Sequence, residues 1–132
     1  VRYLLDTNII TDLIRNPEGM AARRLADVGD SDVCTSIVVA AELWYGAMKK
    51  DASRLTSKLE ALLAIMTVLP LEFPVEREYG RLRTRLEKDG RPFGANDMFI
   101  AAQSLVSGLT LVTDNLREFS RISELSCENW LR

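Results

Sequence analysis

Histidine is absent from the 132-residue sequence, and cysteine occurs only twice, at Cys34 and Cys127. Without histidine there is no Ser-His-Asp triad, no Cys-His dyad, no histidine acid–base pair and no His-containing zinc site. The two cysteines stand far apart and form no CxxC pair, which excludes a zinc knuckle and a dithiol redox motif. Apolar runs of the roughly 20 residues needed to span a bilayer are missing too, because the best candidates break at Glu42 and Asp97. The first residues show no basic segment followed by an apolar stretch and a small-residue cleavage site, so no secretory signal is expected. Prolines and glycines never gather into a linker, and no repeat or low-complexity tract is present. Nor is there an excess of one charge: 17 Lys and Arg face 19 Asp and Glu, for a net charge of −2. Bulk electrostatics therefore do not mark a nucleic-acid binder.

What remains is chemistry on carboxylates, hydroxyls, amides, lysine and arginine. Any metal has to be a hard, oxygen-liganded ion such as Mg2+ or Mn2+. Hydrophobic residues at 47% and charged residues at 27% match a soluble globular protein and argue against a disordered chain. The length is that of one domain. The expectation is a single domain over residues 1–132, soluble and cytoplasmic.

Short apolar runs alternate with helical periodicity. Arg2–Leu5, Val33–Thr35, Thr67–Pro70 and Leu109–Val112 read as strands. Helices are expected over Ile9–Ile14, Glu18–Val28, Ser36–Lys50, Ala52–Met66, Glu76–Lys88 and Met98–Val106, and Asp89–Gly94 as a turn-rich loop. This alternation predicts an α/β domain with a mainly parallel sheet. Ligands of such sheets lie beyond the carboxyl ends of the strands. Asp6 and Asp114 each follow directly on a strand end.

Four acids sit in stretches that are otherwise uncharged. Glu42 is the only charge from Cys34 to Met48, and Asp97 and Asp114 are the only charges from Pro92 to Leu116. Asp6 lies between Leu4-Leu5 and Ile9-Ile10. A carboxylate in low dielectric is costly unless it is paired, hydrogen-bonded or bound to a metal. Each has an ordinary structural account. Asp6 caps the next helix, Asp97 or Asn96 caps another, Asp114 makes an Asx turn with Asn115, and Glu42 pairs with a buried arginine. Taken together these accounts weaken, because four converging acids repel one another and a divalent cation removes that repulsion. Asp12, Asp27, Asp30 and Asp32 read as ordinary surface acids. Arg77, Arg81, Arg85 and Lys88 recur along one side of a helix. They read either as a solvated face laced with ion pairs or as a strip that holds a polyanionic backbone.

Four blocks carry a family resemblance: Tyr3-Leu-Leu-Asp-Thr-Asn-Ile9, Ser36-Ile-Val-Val-Ala-Ala-Glu-Leu-Trp-Tyr-Gly46, Gly94-Ala-Asn-Asp-Met-Phe-Ile-Ala-Ala102 and Leu111-Val-Thr-Asp-Asn-Leu-Arg-Glu-Phe119. In this order, and through the closing Glu128–Leu131, the chain resembles the PIN-domain ribonucleases, and within them VapC, the toxin of VapBC toxin–antitoxin pairs. The resemblance implies an α/β/α sandwich around a mainly parallel sheet of four to five strands. It also implies a Mg2+-dependent endoribonuclease (Mn2+ as substitute) that acts on RNA, tRNA or another structured RNA, and inhibits translation. A homodimer is implied, as is a VapB-like antitoxin whose C-terminal segment occupies the active-site groove in a heterotetramer or larger assembly.

Carried over residue by residue, Asp6, Glu42, Asp97 and Asp114 fall on the family's acidic positions, with Asp6 and Asp97 at those credited with metal contact. Thr7 and Asn8 match the motif after the first acid, and Thr113 matches a hydroxyl near the metal. Asn115 and Glu118 stand as alternatives for the fourth acidic role. The expected mechanism has Mg2+ held by Asp6 and Asp97, with Glu42 and Asp114 completing the cage or orienting the attacking water. In-line attack at phosphorus then leaves a 5′-phosphate and a 3′-hydroxyl. Thr7, Asn8, Thr113 and Asn115 are expected to line the substrate site, and Arg81 and Arg85 to contact RNA if the basic strip serves it. A haloacid-dehalogenase phosphatase fits poorly, since Asn8 stands where its second acid belongs. An inactive PIN-like binding module is the alternative. Ile9, Leu13, Leu43, Trp44 and Tyr45 are candidates for an apolar partner face.

Overall fold

The computed structural model describes residues Val1–Arg132. Five parallel strands form one sheet: β1 (Tyr3–Leu5), β2 (Val33–Ser36), β3 (Thr67–Leu69), β4 (Thr110–Val112) and β5 (Cys127–Glu128), in the order β3-β2-β1-β4-β5. Every residue of β1 and β2 is buried. Successive side chains of a strand point to opposite faces, so both faces of the sheet are covered, as a parallel sheet requires. The covering helices are α1 (Thr7–Arg15), α2 (Met20–Val28), α3 (Ile37–Lys50), α4 (Ser53–Ile65), α5 (Val75–Lys88), α6 (Ala95–Ser107) and the single turn α7 (Leu116–Phe119). The expected α/β class with a parallel sheet is what the chain adopts.

The sheet centre is also its switch point. β1 pairs with β2 on one side and β4 on the other, so the chain leaves β1 toward one edge and returns to its opposite side. Crevices at such points, beyond the carboxyl ends of the strands, are the usual ligand sites of α/β sheets. Leu4, Leu5, Ile9, Ile10, Leu111 and Val112 are fully buried here, so the residues that end β1 and β4 are held on a rigid base. Cys34 and Cys127 are free thiols on β2 and β5, with β1 and β4 between them.

Several expected boundaries shift. Gly19 precedes α2, which therefore starts at Met20 and not at Glu18. Helix α6 begins at Ala95, three residues earlier than its apolar periodicity suggested, so Asp97 lies inside the first turn. Gly94 holds the cap position without a side-chain bond, which corrects the reading of Asn96 or Asp97 as a cap. Strand β5 and helix α7 were not foreseen, being too short to show a period. Helix α3 behaves as expected, with Ser36 Oγ accepting the Val38 N–H at 3.0 Å. Ser36→Ala leaves that part-buried N–H without its acceptor. The expected cost is about 1 kcal/mol, read as a lower urea midpoint with an unchanged slope.

Candidate active site

Asp6 follows the last residue of β1 and is 4% exposed. Its Oδ1 accepts the Thr7 N–H at 2.8 Å, so the expected capping role is real. Its Oδ2 accepts the Thr113 hydroxyl at 2.8 Å, and Thr113 follows directly on β4. The Thr113 oxygen also accepts the Asn115 N–H at 3.0 Å. Asn8 extends the network, its Oδ1 accepting the Asp114 N–H at 2.9 Å and its Nδ2 standing 3.4 Å from Asp6 Oδ2. The motif residues Thr7, Asn8, Thr113 and Asn115 thus lock Asp6 between the ends of two adjacent strands.

Glu42 reaches the same place from α3. Val39, Leu43 and Ala47 are buried at i, i+4 and i+8, and Glu42 stands at the edge of that stripe, facing α1. Its Oε1 accepts the Thr7 hydroxyl at 2.9 Å, and its Oε2 lies 3.5 Å from Asn96 Nδ2. The buried arginine partner expected on structural grounds is absent. Asp97 projects from the first turn of α6, and burial pushes its carboxyl up to about 6, with Asp6, Glu42 and Glu118 adding repulsion. Burial likewise raises Asp6, against the hydrogen bonds from Thr113 and Thr7 that pull it down.

This electrostatic pressure has a measurable sign. The folded pKa of Asp97 lies above its ordinary 3.8, so its contribution to stability is complete below about 4 and is lost as pH rises through about 6. In metal-free buffer at neutral pH, Asp97→Asn is expected to stabilise the protein on the order of 1 kcal/mol, allowing for solvent screening of a half-buried group. It is also expected to flatten the fall in melting temperature between pH 4 and 6, measured by thermal scans in EDTA. The comparison cancels Glu124, whose depressed pKa acts with the opposite sign at lower pH.

Asp114 behaves differently from the other three acids. Its side chain is turned to the C-terminal segment, with Oδ1 accepting Asn129 Nδ2 at 2.9 Å and lying 3.5 Å from Arg132 Nε. It is not among the charges that raise Asp6 or Asp97. The Asx turn expected with Asn115 does not form, because Thr113 supplies the acceptor. Glu118, on α7, adds to the repulsion on Asp97. Arg81 is bound to Glu78 and also to Glu124 at 3.2 Å, while Arg85 holds both oxygens of Glu124 at 2.9 and 2.8 Å. Those bonds, from Arg85 first, hold the Glu124 carboxyl down to about 2. Of the basic face of α5, Arg81 and Arg85 are thus engaged in ion pairs, and Arg77 and Lys88 are not.

The donor chemistry fits a hard cation. Asp6, Glu42, Asp97 and Glu118 offer only carboxylate oxygens, and a positive charge would offset both the burial and the lesser repulsion that raise Asp97. No three acids or thiols stand at a spacing that would let all of them touch one ion.

Residues 3–125 match the PIN domain family. Ribonuclease VapC2 of Haemophilus influenzae is 37% identical over 133 residues, covering 99% of both proteins. The chain belongs to the PIN-domain family and, within it, to the VapC ribonucleases. The tRNA(fMet)-specific endonuclease VapC of Shigella flexneri is 33% identical over 98% of both chains. The solved VapBC2 complex of Rickettsia felis, bound to a DNA fragment from its promoter, aligns at a TM-score of 0.89 and 34% identity, over 98% of this chain and 99% of that one.

In this VapC chain a slot of about 160 Å3 opens beside the acids, between α1, α3 and α4. Thr7 and Glu42 line it together with Leu43, Ala47, Leu55 and Leu59. Of the expected partner-face residues, Ile9, Leu13 and Leu43 are core, Trp44 is half-buried and Tyr45 is 67% exposed. Sequence reasoning missed Arg121, which is bonded to Glu118; the i, i+3 spacing of the two charges was the available signal.

Proposed function

We propose that this chain is the toxin of a VapBC-type pair, a Mg2+-dependent endoribonuclease that cuts RNA in the cytoplasm and thereby blocks translation. The observation that carries the reading is geometric: Asp6, at the end of β1, is tied through Thr7 to Glu42 on α3 and through Thr113 to the end of β4. The names of its relatives agree: one is called a ribonuclease and another a tRNA(fMet)-specific endonuclease. The chain has no helix long and apolar enough to cross a membrane.

Asp6 and Asp97 are the residues we assign to the cation, with Glu42 and a fourth acid closing the site around its waters. A bound Mg2+ lowers the pKa of a coordinated water and offsets charge on the phosphate. Thr113 and Thr7 keep Asp6 fixed, so its orientation is set before substrate arrives. Thr7 also orients Glu42, leaving that carboxylate placed to accept a proton from attacking water. Asn8 and Asn115 supply amides at the rim, where the scissile phosphate is expected to lie. For Arg81 and Arg85 the ion pairs with Glu78 and Glu124 favour a structural part, and contact with RNA would require breaking them.

The partner reading rests on the slot beside Glu42 and on the exposed Tyr45 and Met48 of α3. A VapB-like antitoxin segment with an apolar anchor would fill the slot and cover the acids at once, in an assembly built on a toxin homodimer.

For the fourth acid we favour Glu118 over Asp114. Glu118→Gln is expected to weaken Mn2+ binding by about tenfold, and Asp114→Asn by less than about twofold, measured by calorimetry. Equal losses, or a greater loss at Asp114, return the role to Asp114. Absence of Mn2+ or Mg2+ binding by the parent protein would overturn the metal-dependent reading itself.

A further inference from the structure

Arg121 lies just beyond α7 and is unlike the other paired arginines of the chain. Only 8% of its side chain is exposed, against 40% to 79% for the others. One terminal nitrogen donates to the Pro92 carbonyl at 2.9 Å and to Glu118 Oε1 at 2.6 Å, and the other donates to the Arg91 carbonyl at 3.0 Å. The guanidinium lies over the Phe93 ring, 5.4 Å from its centroid. Its Nε is buried with no partner. Burying a cation and orphaning one of its donors is unfavourable, so the arrangement calls for a reason beyond an ordinary surface ion pair.

The two segments that the guanidinium joins supply that reason. Arg91–Phe93 runs into Gly94, the residue before α6, whose first turn carries Asn96 and Asp97. Glu118 comes from α7, on the far side of β4 in the chain, and its charge bears on Asp97. We propose that Arg121 is a positioning residue, whose planar fork holds Glu118 and the start of α6 together and so sets the spacing of the Glu118 and Asp97 carboxylates. Because Arg121 takes Oε1, the other oxygen of Glu118 is left for the site. A lysine offers a point charge on a flexible stem and cannot hold three acceptors from two segments in one plane. The inference rests on the reading that these acids hold a divalent cation.

Arg121→Met keeps the packing on Phe93 and removes the fork, while Arg121→Lys keeps the charge. Three quantities are read for each: the melting temperature, the Mn2+ dissociation constant by calorimetry, and kcat and KM on RNA. For folded Arg121→Met, Mn2+ affinity is expected to fall about tenfold and kcat about 10- to 100-fold, with KM within about twofold of the parent and Arg121→Lys in between. Adding Glu118→Gln is expected to cause little further loss, since the two residues act as one unit. A lower melting temperature with unchanged Mn2+ affinity and unchanged kcat per folded molecule would reduce Arg121 to a staple and overturn the proposal. Should Arg121→Met not fold, the same comparison is decided on Arg121→Lys. A parent protein that binds no Mn2+ and cuts no RNA would fail earlier, at the metal-site reading, and take the proposal with it.

Discussion

Asp6→Asn is expected to lower RNA cleavage by about 10^3-fold or more, equivalent to roughly 4 kcal/mol of transition-state stabilisation, while leaving the protein folded. The substitution is nearly isosteric. The new Oδ1 still accepts the Thr7 N–H, so the start of α1 keeps its cap. The Thr113 hydroxyl loses its acceptor at Oδ2, a local cost of about 1 kcal/mol. Against that cost stands relief from a buried, repelled charge, because burial and Glu42 both raise the Asp6 carboxyl. The melting temperature in EDTA at neutral pH should therefore stay within a few degrees of the parent. Cleavage and Mn2+ binding should be lost together. A variant that binds Mn2+ normally and cleaves at the parental rate would remove Asp6 from the metal site.

Phe119→Ala has the largest expected effect on stability. Phe119 is completely buried at the end of α7, its ring set edge-on to Phe93 with centroids 5.7 Å apart. Removing a buried phenyl ring costs about 3–5 kcal/mol, from lost transfer energy and from the cavity left behind. A domain of this size has in total about 5–15 kcal/mol to lose. The damage should not stay in the core. Phe119 anchors α7 beside Glu118, and Phe93 lies under the Arg121 guanidinium, so the segments that place Glu118 and Asp97 loosen together. Urea unfolding should show the lower midpoint, and Mn2+ affinity of the folded protein should fall with it. Unaltered Mn2+ affinity would mean that α7 carries no part of the site.

Much of this was legible in the residues. Long helices with a clear apolar face, such as α3 and α5, stand nearly where periodicity places them, since tertiary packing and local pattern agree there. Strand ends were legible because charge interrupts apolar runs at Asp6 and Asp114. The isolation of Glu42 and Asp97 within uncharged stretches singled them out, and their mutual electrostatics follow from the fold. Two elements were not legible: β5 and α7, at two and four residues, span about one period of their own patterns and so show no repeat. The start of α6 was hidden because Ala95 and Asn96 add nothing to an apolar stripe. Asp114 looked equivalent to Asp6 by position, each following a strand. Only the three-dimensional arrangement shows Asn129 and Arg132 drawing its carboxylate toward the C-terminal segment. Arg121 was legible only as an i, i+3 partner of Glu118, because the rest of its role lies in two backbone carbonyls some thirty residues away.

The central claim is that these acids make one metal-dependent RNA-cutting site. Its most direct test is incubation of partner-free protein with a tRNA pool in Mg2+ and in EDTA, with end-group analysis of the fragments. The account predicts cleavage only with Mg2+, leaving 5′-phosphate and 3′-hydroxyl ends. Cleavage that persists undiminished in EDTA, or fragments ending in a 2′,3′-cyclic phosphate, would contradict it.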